Sequence, residues 1–255
     1  MPAPLELLPF LPLGLVAGLL SGLLGIGGGL VFSPLLLLMG LEPHQALATS
    51  TLAIVPTTLG GTWAHVRSRS LPGRGALAIA LGAGLAGAAC SRIGFSLPGW
   101  LLLTLQALMY ALLALLIRPR DAALPAGPAP SWAALGGVGG VAGLASGMLG
   151  VGGGLVMVPL LVQGLGVAVH LAIRFSTLAV LTSAAMASLT FLADGRAIWP
   201  IGLALGATAA LAAQWSARRL NRVGEGRLVW MLRGLTVILA IDSGRRAFGL
   251  VSPGL

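Results

Sequence analysis

The sequence contains no lysine, one cysteine and only six acidic residues. The single cysteine, Cys90, excludes an internal disulfide and a metal site built from cysteines, and it is expected to be a buried packing residue. Charged residues make up 8% of the chain, whereas a typical soluble protein carries about a quarter. The chain therefore has too little charge to cover a water-exposed surface.

Apolar residues take the place of the missing charge. Hydrophobic residues make up 57% of the 255 residues, and the mean hydropathy is +0.99. Long apolar runs such as 101–117 and 229–241 are typical of membrane-spanning segments, which need about 20 residues each. The composition predicts an all-α, polytopic membrane protein.

The 15 basic residues are all arginine, and the formal net charge is +9. The arginines lie mainly between apolar segments, where positive charge sets membrane topology, so the expected partner is the lipid bilayer and not nucleic acid. Asp242 is expected to pair with Arg245 on one helix. Residues 1–13 hold Glu6 and no basic residue, so the first segment is expected to be retained and not cleaved as a signal peptide.

Two copies of one glycine-rich stretch organise the chain. Residues 18–36 read GLLSGLLGIGGGLVFSPLL, and residues 143–161 read GLASGMLGVGGGLVMVPLL. At an offset of 125 residues, 14 of 19 positions are identical. A single glycine triplet would be weak evidence, but a duplicated motif with the same apolar flanks indicates two homologous halves.

A second matched block follows the first. Residues 44–53 read HQALATSTLA, and residues 170–179 read HLAIRFSTLA at an offset of 126. We therefore predict a first membrane repeat at 1–120, a linker at 121–130 and a second membrane repeat at 131–255. Five apolar segments are expected in each half, at about 5–24, 29–40, 44–66, 75–91 and 99–117, and then at about 132–149, 154–166, 170–192, 197–217 and 227–244.

The second segment of each half is too short to cross a bilayer straight. It holds about 10 residues, or roughly 15 Å of helix, and it starts at a glycine cluster. Short, glycine- or proline-interrupted segments at matching places in two halves indicate a transporter's binding region. If these segments cross the membrane, the two halves are inverted and the N-terminus is outside, and one side of the membrane has 9 arginines and the other side 4. If the segments re-enter on the same side, the two sides have 8 and 5 arginines. The positive-inside rule favours crossing, and both topologies stay open.

The duplicated motif resembles that of the sulfite exporter TauE/SafE family of bacterial permeases. The resemblance rests on Gly-x-Gly-Gly-Gly followed by Pro34 in one half and Pro159 in the other, and on the Ser-Thr pairs at 50–51 and 176–177. It covers essentially the whole chain. It implies a secondary transporter or facilitator of sulfite, sulfoacetate or related organosulfonates in a bacterial inner membrane, with no cofactor.

The glycine clusters allow two interpretations. Glycines let helices pack closely, or they break a helix so that amide groups and the positive end of the next helix face an anion. In the second interpretation the substrate-binding glycines are Gly25, Gly27, Gly28, Gly29, Gly150, Gly152, Gly153 and Gly154.

Polar residues near the glycines are the other candidates. Ser50, Thr51, Ser176 and Thr177 either donate hydroxyls to substrate oxygens or bond to local backbone carbonyls. His44 and His170 either carry a proton for coupled transport or hold an interfacial position. Arg174 either binds the oxyanion through its guanidinium fork or extends to the headgroups.

The sequence thus predicts a transporter that exports a small sulfur-containing anion. A carrier of another small anion and a non-transporting scaffold or partner subunit stay open as alternatives. A cation carrier would need more intramembrane carboxylates. An enzyme would need a nucleophile–base pair or a set of metal ligands, and no catalytic or metal residue is predicted. The oligomeric state is left open.

Overall fold

The computed structural model describes residues 10–24, 26–69, 71–116 and 130–251, and every regular element in that part of the chain is helical. The first half contains α1 (Phe10–Leu24), α2 (Gly29–Leu38), α3 (Pro43–Arg67), α4 (Gly73–Ser96) and α5 (Gly99–Leu116). The second contains α6 (Trp132–Leu149), α7 (Gly154–Pro159), α8 (Val169–Ala193), α9 (Trp199–Ala217) and α10 (Glu225–Val251). A π-helical turn, Leu160–Gly164, extends α7, and a 3-10 turn, Leu220–Arg222, precedes α10.

Each predicted apolar segment overlaps one of these helices. The largest difference is at α10, which continues to Val251, seven residues beyond the expected end. The hydropathy falls at Asp242, but charge ends an apolar run without ending a helix. Arg246 Nε donates to Asp242 Oδ2 at 2.9 Å across one helical turn, so the partner of Asp242 is Arg246 and the expected pairing with Arg245 is wrong.

Within the described residues, three helical stretches are long and apolar enough to cross a bilayer by length and composition alone: Gly73–Gly94, Trp132–Leu149 and Val169–Ala193. Shorter apolar helices are found at Leu11–Leu24, Gly29–Leu38, Gly99–Leu115 and Gly154–Gly164. A helix of 10 residues such as α2 covers roughly 15 Å, half of a hydrocarbon core of about 30 Å. The number of crossings in each half therefore stays a prediction.

The helices pack in a pattern that is unchanged when the two halves are exchanged. Helices α1, α3 and α4 of the first half correspond to α6, α8 and α9 of the second. Helix α1 packs on α9, and in the same way α6 packs on α4. Helix α3 also packs on α9, and in the same way α8 packs on α4. The two remaining large contacts, α3 on α8 and α5 on α10, each join a helix to its own equivalent. The duplication seen in the sequence is therefore also a duplication of packing.

Contacts along these pairs give the helix directions. Gly60 of α3 lies against Ala210 of α9, and Gly206 of α9 lies against Ala53 of α3, so the two helices are parallel. Helices α4 and α8 are also parallel, because Gly87 lies against Ser183 and Ser91 Oγ donates to Thr190 Oγ1 at 3.2 Å. In contrast, α3 and α8 are antiparallel.

The antiparallel direction follows from two contacts on α3 and α8. A Cβ on Gly61, late in α3, would lie 3.1 Å from the Thr177 methyl group, early in α8. His65, further along α3, interacts electrostatically with Arg174, further back on α8. The C-terminal part of α3 therefore lies beside the N-terminal part of α8.

Glycine permits the closest helix contacts. A Cβ on Gly18 of α1 would overlap the carbonyl oxygen of Ala209 in α9. A Cβ on Gly143 of α6 would overlap the carbonyl oxygen of Ala83 in α4. These two contacts are equivalent under the repeat. They are the close backbone approach that small residues give to membrane helices, so the packing interpretation holds for these two glycines, which lie outside the breaks.

Tryptophans occupy helix ends with exposed side chains, as expected of interfacial anchors. All six are exposed, from 43% for Trp100 to 62% for Trp230. Among the described residues, arginines lie over three of these rings: the Arg219 Cζ is 3.6 Å from the Trp215 centroid, the Arg74 Cζ is 5.6 Å from that of Trp132 and the Arg233 Cζ is 5.5 Å from that of Trp230.

Candidate substrate site

The glycine clusters break the chain between α1 and α2 and between α6 and α7. Gly27 and Gly28 have φ of 76° and 77°, and Gly152 and Gly153 have φ of 85° and 56°. These values lie in the left-handed region, which costs any residue with a Cβ about 1–2 kcal/mol. Gly28 caps the N-terminus of α2 and Gly153 that of α7. Gly150, with φ 63°, caps the C-terminus of α6; its equivalent, Gly25, lies outside the described residues.

The two breaks touch each other in the middle of the molecule. A Cβ on Gly152 would lie 3.0 Å from the Ile26 carbonyl oxygen, and one on Gly29 would lie 3.0 Å from the Val151 carbonyl carbon. The side chains of Ile54 and Val180, which are equivalent under the repeat, contact both breaks. Both side chains are fully buried. The breaks thus meet where the two halves meet, against an apolar pair.

Ser50 connects the two breaks. Its Oγ lies 3.3 Å from the carbonyl oxygens of both Gly29 and Gly150, and its one proton can be donated to either or shared between them. Ser176, its equivalent, donates to the Gly154 carbonyl at 3.2 Å. These distances are long for a hydroxyl donor, whose usual separation is about 2.7–2.8 Å. Both serines therefore lie at the breaks, and the bonds that Ser50 makes there are weak.

The neighbouring threonines make shorter bonds within their own helices. Thr51 Oγ1 donates to the Leu47 carbonyl at 2.7 Å, and Thr177 Oγ1 donates to the Ile173 carbonyl at 2.9 Å. Both bonds span one helical turn, the local alternative considered for these hydroxyls. All four hydroxyl residues are buried.

The paired histidines hold equivalent loops. His44 Nε2 lies 3.0 Å from the Leu97 carbonyl oxygen, and His170 Nε2 lies 3.1 Å from the Val223 carbonyl oxygen. In each half the imidazole joins the start of the third helix to the connection before the fifth. Because a carbonyl only accepts, the imidazole donates from Nε2 in both. The structure places these histidines at helix connections and not at the glycine breaks.

Arg174 lies on α8, two residues before Ser176, and is partly buried. Its guanidinium is close enough to His65 on α3 for an electrostatic interaction, and His65 is only 3% exposed. Comparison of the two halves by sequence missed His65, because residue 191 at the equivalent position is phenylalanine. The signal that would have found it is the antiparallel contact of α3 with α8.

An open depression of about 450 Å³ lies at the C-terminal ends of α4 and α8. Arg92, Thr190 and Asp194 contribute its polar lining. Sequence reasoning did not single it out, since these residues are far apart in the chain and outside the repeated motifs.

These features define a class of protein: a multi-pass helical membrane protein built from two packed repeats, with a helix break in each repeat at their junction. The chain matches the model of the sulfite exporter TauE/SafE family over residues 10–243. It therefore belongs to that family, a family of membrane transporters.

Individual relatives agree with this assignment. A "Probable membrane transporter protein" of Xylella fastidiosa strain 9a5c is 31% identical over 197 residues, which is 74% of this chain and 76% of the relative. The "Probable membrane transporter protein YunE" of Bacillus subtilis is 27% identical over 255 residues, 89% of this chain and 93% of the relative. The "Sulfite exporter TauE/SafE family protein 3" of Arabidopsis thaliana is 41% identical over 49 residues, 19% and 10% of the two chains. No solved structure matches the chain.

Proposed function

We propose that this protein is a secondary transporter or facilitator that exports sulfite or a small organosulfonate, such as sulfoacetate, across a bacterial inner membrane. The observation that carries the proposal is the meeting of two repeat-related glycine breaks at the junction of the halves. Interrupted helices at a repeat interface are the usual construction of a transporter's substrate site. The family membership and the transporter names of the relatives support the class of function.

The two halves are proposed to be inverted repeats. Helix α3 is antiparallel to its equivalent α8, and each of the pairs α3–α9 and α4–α8 is parallel, so α4 and α9 also run in opposite directions. A two-fold axis that reverses helix direction would lie in the membrane plane, near Ile54 and Val180. Such an arrangement supports alternating access, in which one half rocks against the other around a site on the axis.

The arginines support an orientation with the N-terminus outside. We call the end of the protein at which α3 and α9 finish the arginine-rich face. The described arginines at this face are Arg67, Arg69, Arg74, Arg218, Arg219, Arg222 and Arg227. Those at the opposite end are Arg92, Arg196, Arg245 and Arg246. By the positive-inside rule the arginine-rich face is cytoplasmic.

The proposed anion site consists of the glycine-break amides and the hydroxyls of Ser50 and Ser176. Arg174 lies on the same helix as Ser176, two residues nearer the arginine-rich face, and is proposed to bind the anion on that side. The N-terminal end of α2 carries a partial positive charge, and its first amides have no acceptor within the helix. Ser50 can turn to an anion at little cost because its present bonds are long, and Ser176 occupies the equivalent position in the second half. Thr51 and Thr177 are weaker candidates, since their shorter bonds hold them to the backbone.

The coupling mechanism is proposed to be the membrane potential or a proton. His44 and His170 are candidates for a proton role; since each donates from Nε2 to a carbonyl at about 3 Å, a coupling proton would be taken up at Nδ1. Transport driven by the potential requires no such step.

Transport in inside-out bacterial membrane vesicles tests the proposal. Uptake of sulfite and sulfoacetate is measured beside sulfate and chloride, with vesicles lacking the protein as the blank. Saturable uptake of sulfite or sulfoacetate is the expected result. Uptake of sulfate or chloride alone would favour another small anion as the substrate. No uptake of any anion by folded protein would contradict transport and leave the scaffold alternative.

Ser50→Ala tests the site, and Thr51→Ala is the matched control on the same helix. Loss of a hydroxyl that donates to a charged oxygen raises KM by about tenfold or more. Thr51→Ala is expected to change KM much less, because that hydroxyl bonds to its own helix at 2.7 Å. Equal effects from the two variants would remove Ser50 from the site while leaving transport itself in place.

A further inference from the structure

The two long helices at the junction differ between the halves in a specific way. Helices α3 and α8 each contain 25 residues, and they align without a gap at an offset of 126. Some equivalent residues are alike, as with Ile54 and Val180, and others differ in polarity. Two of the unlike pairs concern the same contact between the helices: position 48 is alanine where position 174 is arginine, and position 65 is histidine where position 191 is phenylalanine.

The residues of these two pairs are grouped at two locations along the contact between α3 and α8, one on each side of the junction. Ala48, Ala187 and Phe191 form a buried apolar cluster between α3 and α8, each at most 4% exposed. The equivalent positions on the other side of the junction are Arg174, Gly61 and His65. Arg174 and His65 interact electrostatically across the same two helices. One location is therefore apolar and closed, and its equivalent is polar and positively charged.

The two locations lie toward opposite faces of the protein. His65 lies in the last turn of α3, next to Arg67 and the arginine-rich face. Phe191 lies in the last turn of α8, which runs the other way. Arg174 is only partly buried, whereas His65 is 3% exposed, so the guanidinium is the more accessible of the two groups.

We propose that Arg174 and His65 form an anion-binding position that serves the arginine-rich face alone. This inference rests on the proposed function and adds sidedness to it. A guanidinium offers two parallel charge-assisted bonds to an oxyanion, and an imidazole N–H beside it supplies another donor. At the opposite face Ala48, Ala187 and Phe191 offer no such donors. The anion thus meets a charged position when it enters from the cytoplasmic side and an apolar constriction at the other end of its path.

The test compares the KM for the transported anion from the two faces. Inside-out vesicles present the arginine-rich face, and right-side-out vesicles present the opposite face. Arg174→Ala and His65→Phe introduce the residues that the other half carries at the same positions, so both sizes are tolerated at equivalent contacts. Arg196→Ala, an exposed arginine at the opposite face, is the matched control. Size-exclusion chromatography in detergent checks that each variant is folded.

Arg174→Ala is expected to raise KM from the arginine-rich face by about tenfold or more, the effect of losing charge-assisted bonds. His65→Phe is expected to raise the KM from this face by a smaller factor. Arg174→Lys is expected to give a KM between those of wild type and Arg174→Ala, and Arg196→Ala is expected to leave the KM unchanged. KM from the opposite face should stay within about twofold of wild type. An equal rise from both faces would place Arg174 in a shared central site, and an unchanged KM from both would remove it from binding; either overturns the proposal. Wild-type vesicles that transport no anion would instead overturn the proposed function, and this inference with it.

Discussion

The packing of α4 on α6 gives a quantitative prediction through Gly143. An added Cβ at this position would overlap the carbonyl oxygen of Ala83, so α6 must move away from α4. Overpacking of this kind costs about 1–3 kcal/mol. Alanine gains about 1 kcal/mol over glycine in a helix interior, so Gly143→Ala is expected to lower the free energy of unfolding by up to about 2 kcal/mol.

Gly137 provides a control on the same helix. A Cβ there would have no heavy atom within 4 Å, so Gly137→Ala keeps the propensity gain without the clash. The difference between the two variants therefore isolates the packing cost of about 1–3 kcal/mol. Unfolding in mixed micelles with increasing dodecyl sulfate, followed by far-ultraviolet circular dichroism, measures both. Equal midpoints for Gly143→Ala and Gly137→Ala would refute the close approach of α4 and α6.

Three smaller predictions use the same unfolding assay. His170→Ala should lower the free energy of unfolding by about 1 kcal/mol, because it removes the bond to the Val223 carbonyl; an unchanged value would mean that water replaces it. Ser131→Ala should cost about 0.5–2 kcal/mol, since the Ser131 hydroxyl accepts from the Ala134 amide at the start of α6; no change would show that this cap is not formed. Arg246→Gln should change stability by no more than about 0.5 kcal/mol, because a partly exposed same-helix ion pair contributes little; a loss above about 2 kcal/mol would indicate a further partner.

The sequence alone predicts the helices well, for a physical reason. Apolar runs, glycine clusters and prolines act over a few residues, and these local signals set where α2 and α8 begin. Interactions between distant segments are not encoded in this way. The bond from His44 to the Leu97 carbonyl and the approach of Arg174 to His65 depend on helix directions and crossings, which no single run of residues reveals.

The same limit applies to the candidate site. Duplication identified Ser50 and Ser176 as equivalent, but it could not distinguish their long bonds to the breaks from the short bonds of Thr51 and Thr177. Comparison of repeats finds what the halves share. His65 was missed because it is one of the residues that they do not share.

The two-fold arrangement also explains where the halves are free to differ. Residues near the axis, such as Ile54 and Val180, contact both glycine breaks at once, so a change in either alters packing in both halves. Both are β-branched, apolar and fully buried. Ala48 and Arg174 lie six residues before Ile54 and Val180 on α3 and α8, toward opposite faces. Alanine at one position and arginine at the other therefore leave the apolar pair at the axis unchanged. A symmetric scaffold can in this way have two unlike entrances, so that its affinity for the anion differs between the two faces while the centre stays common to both.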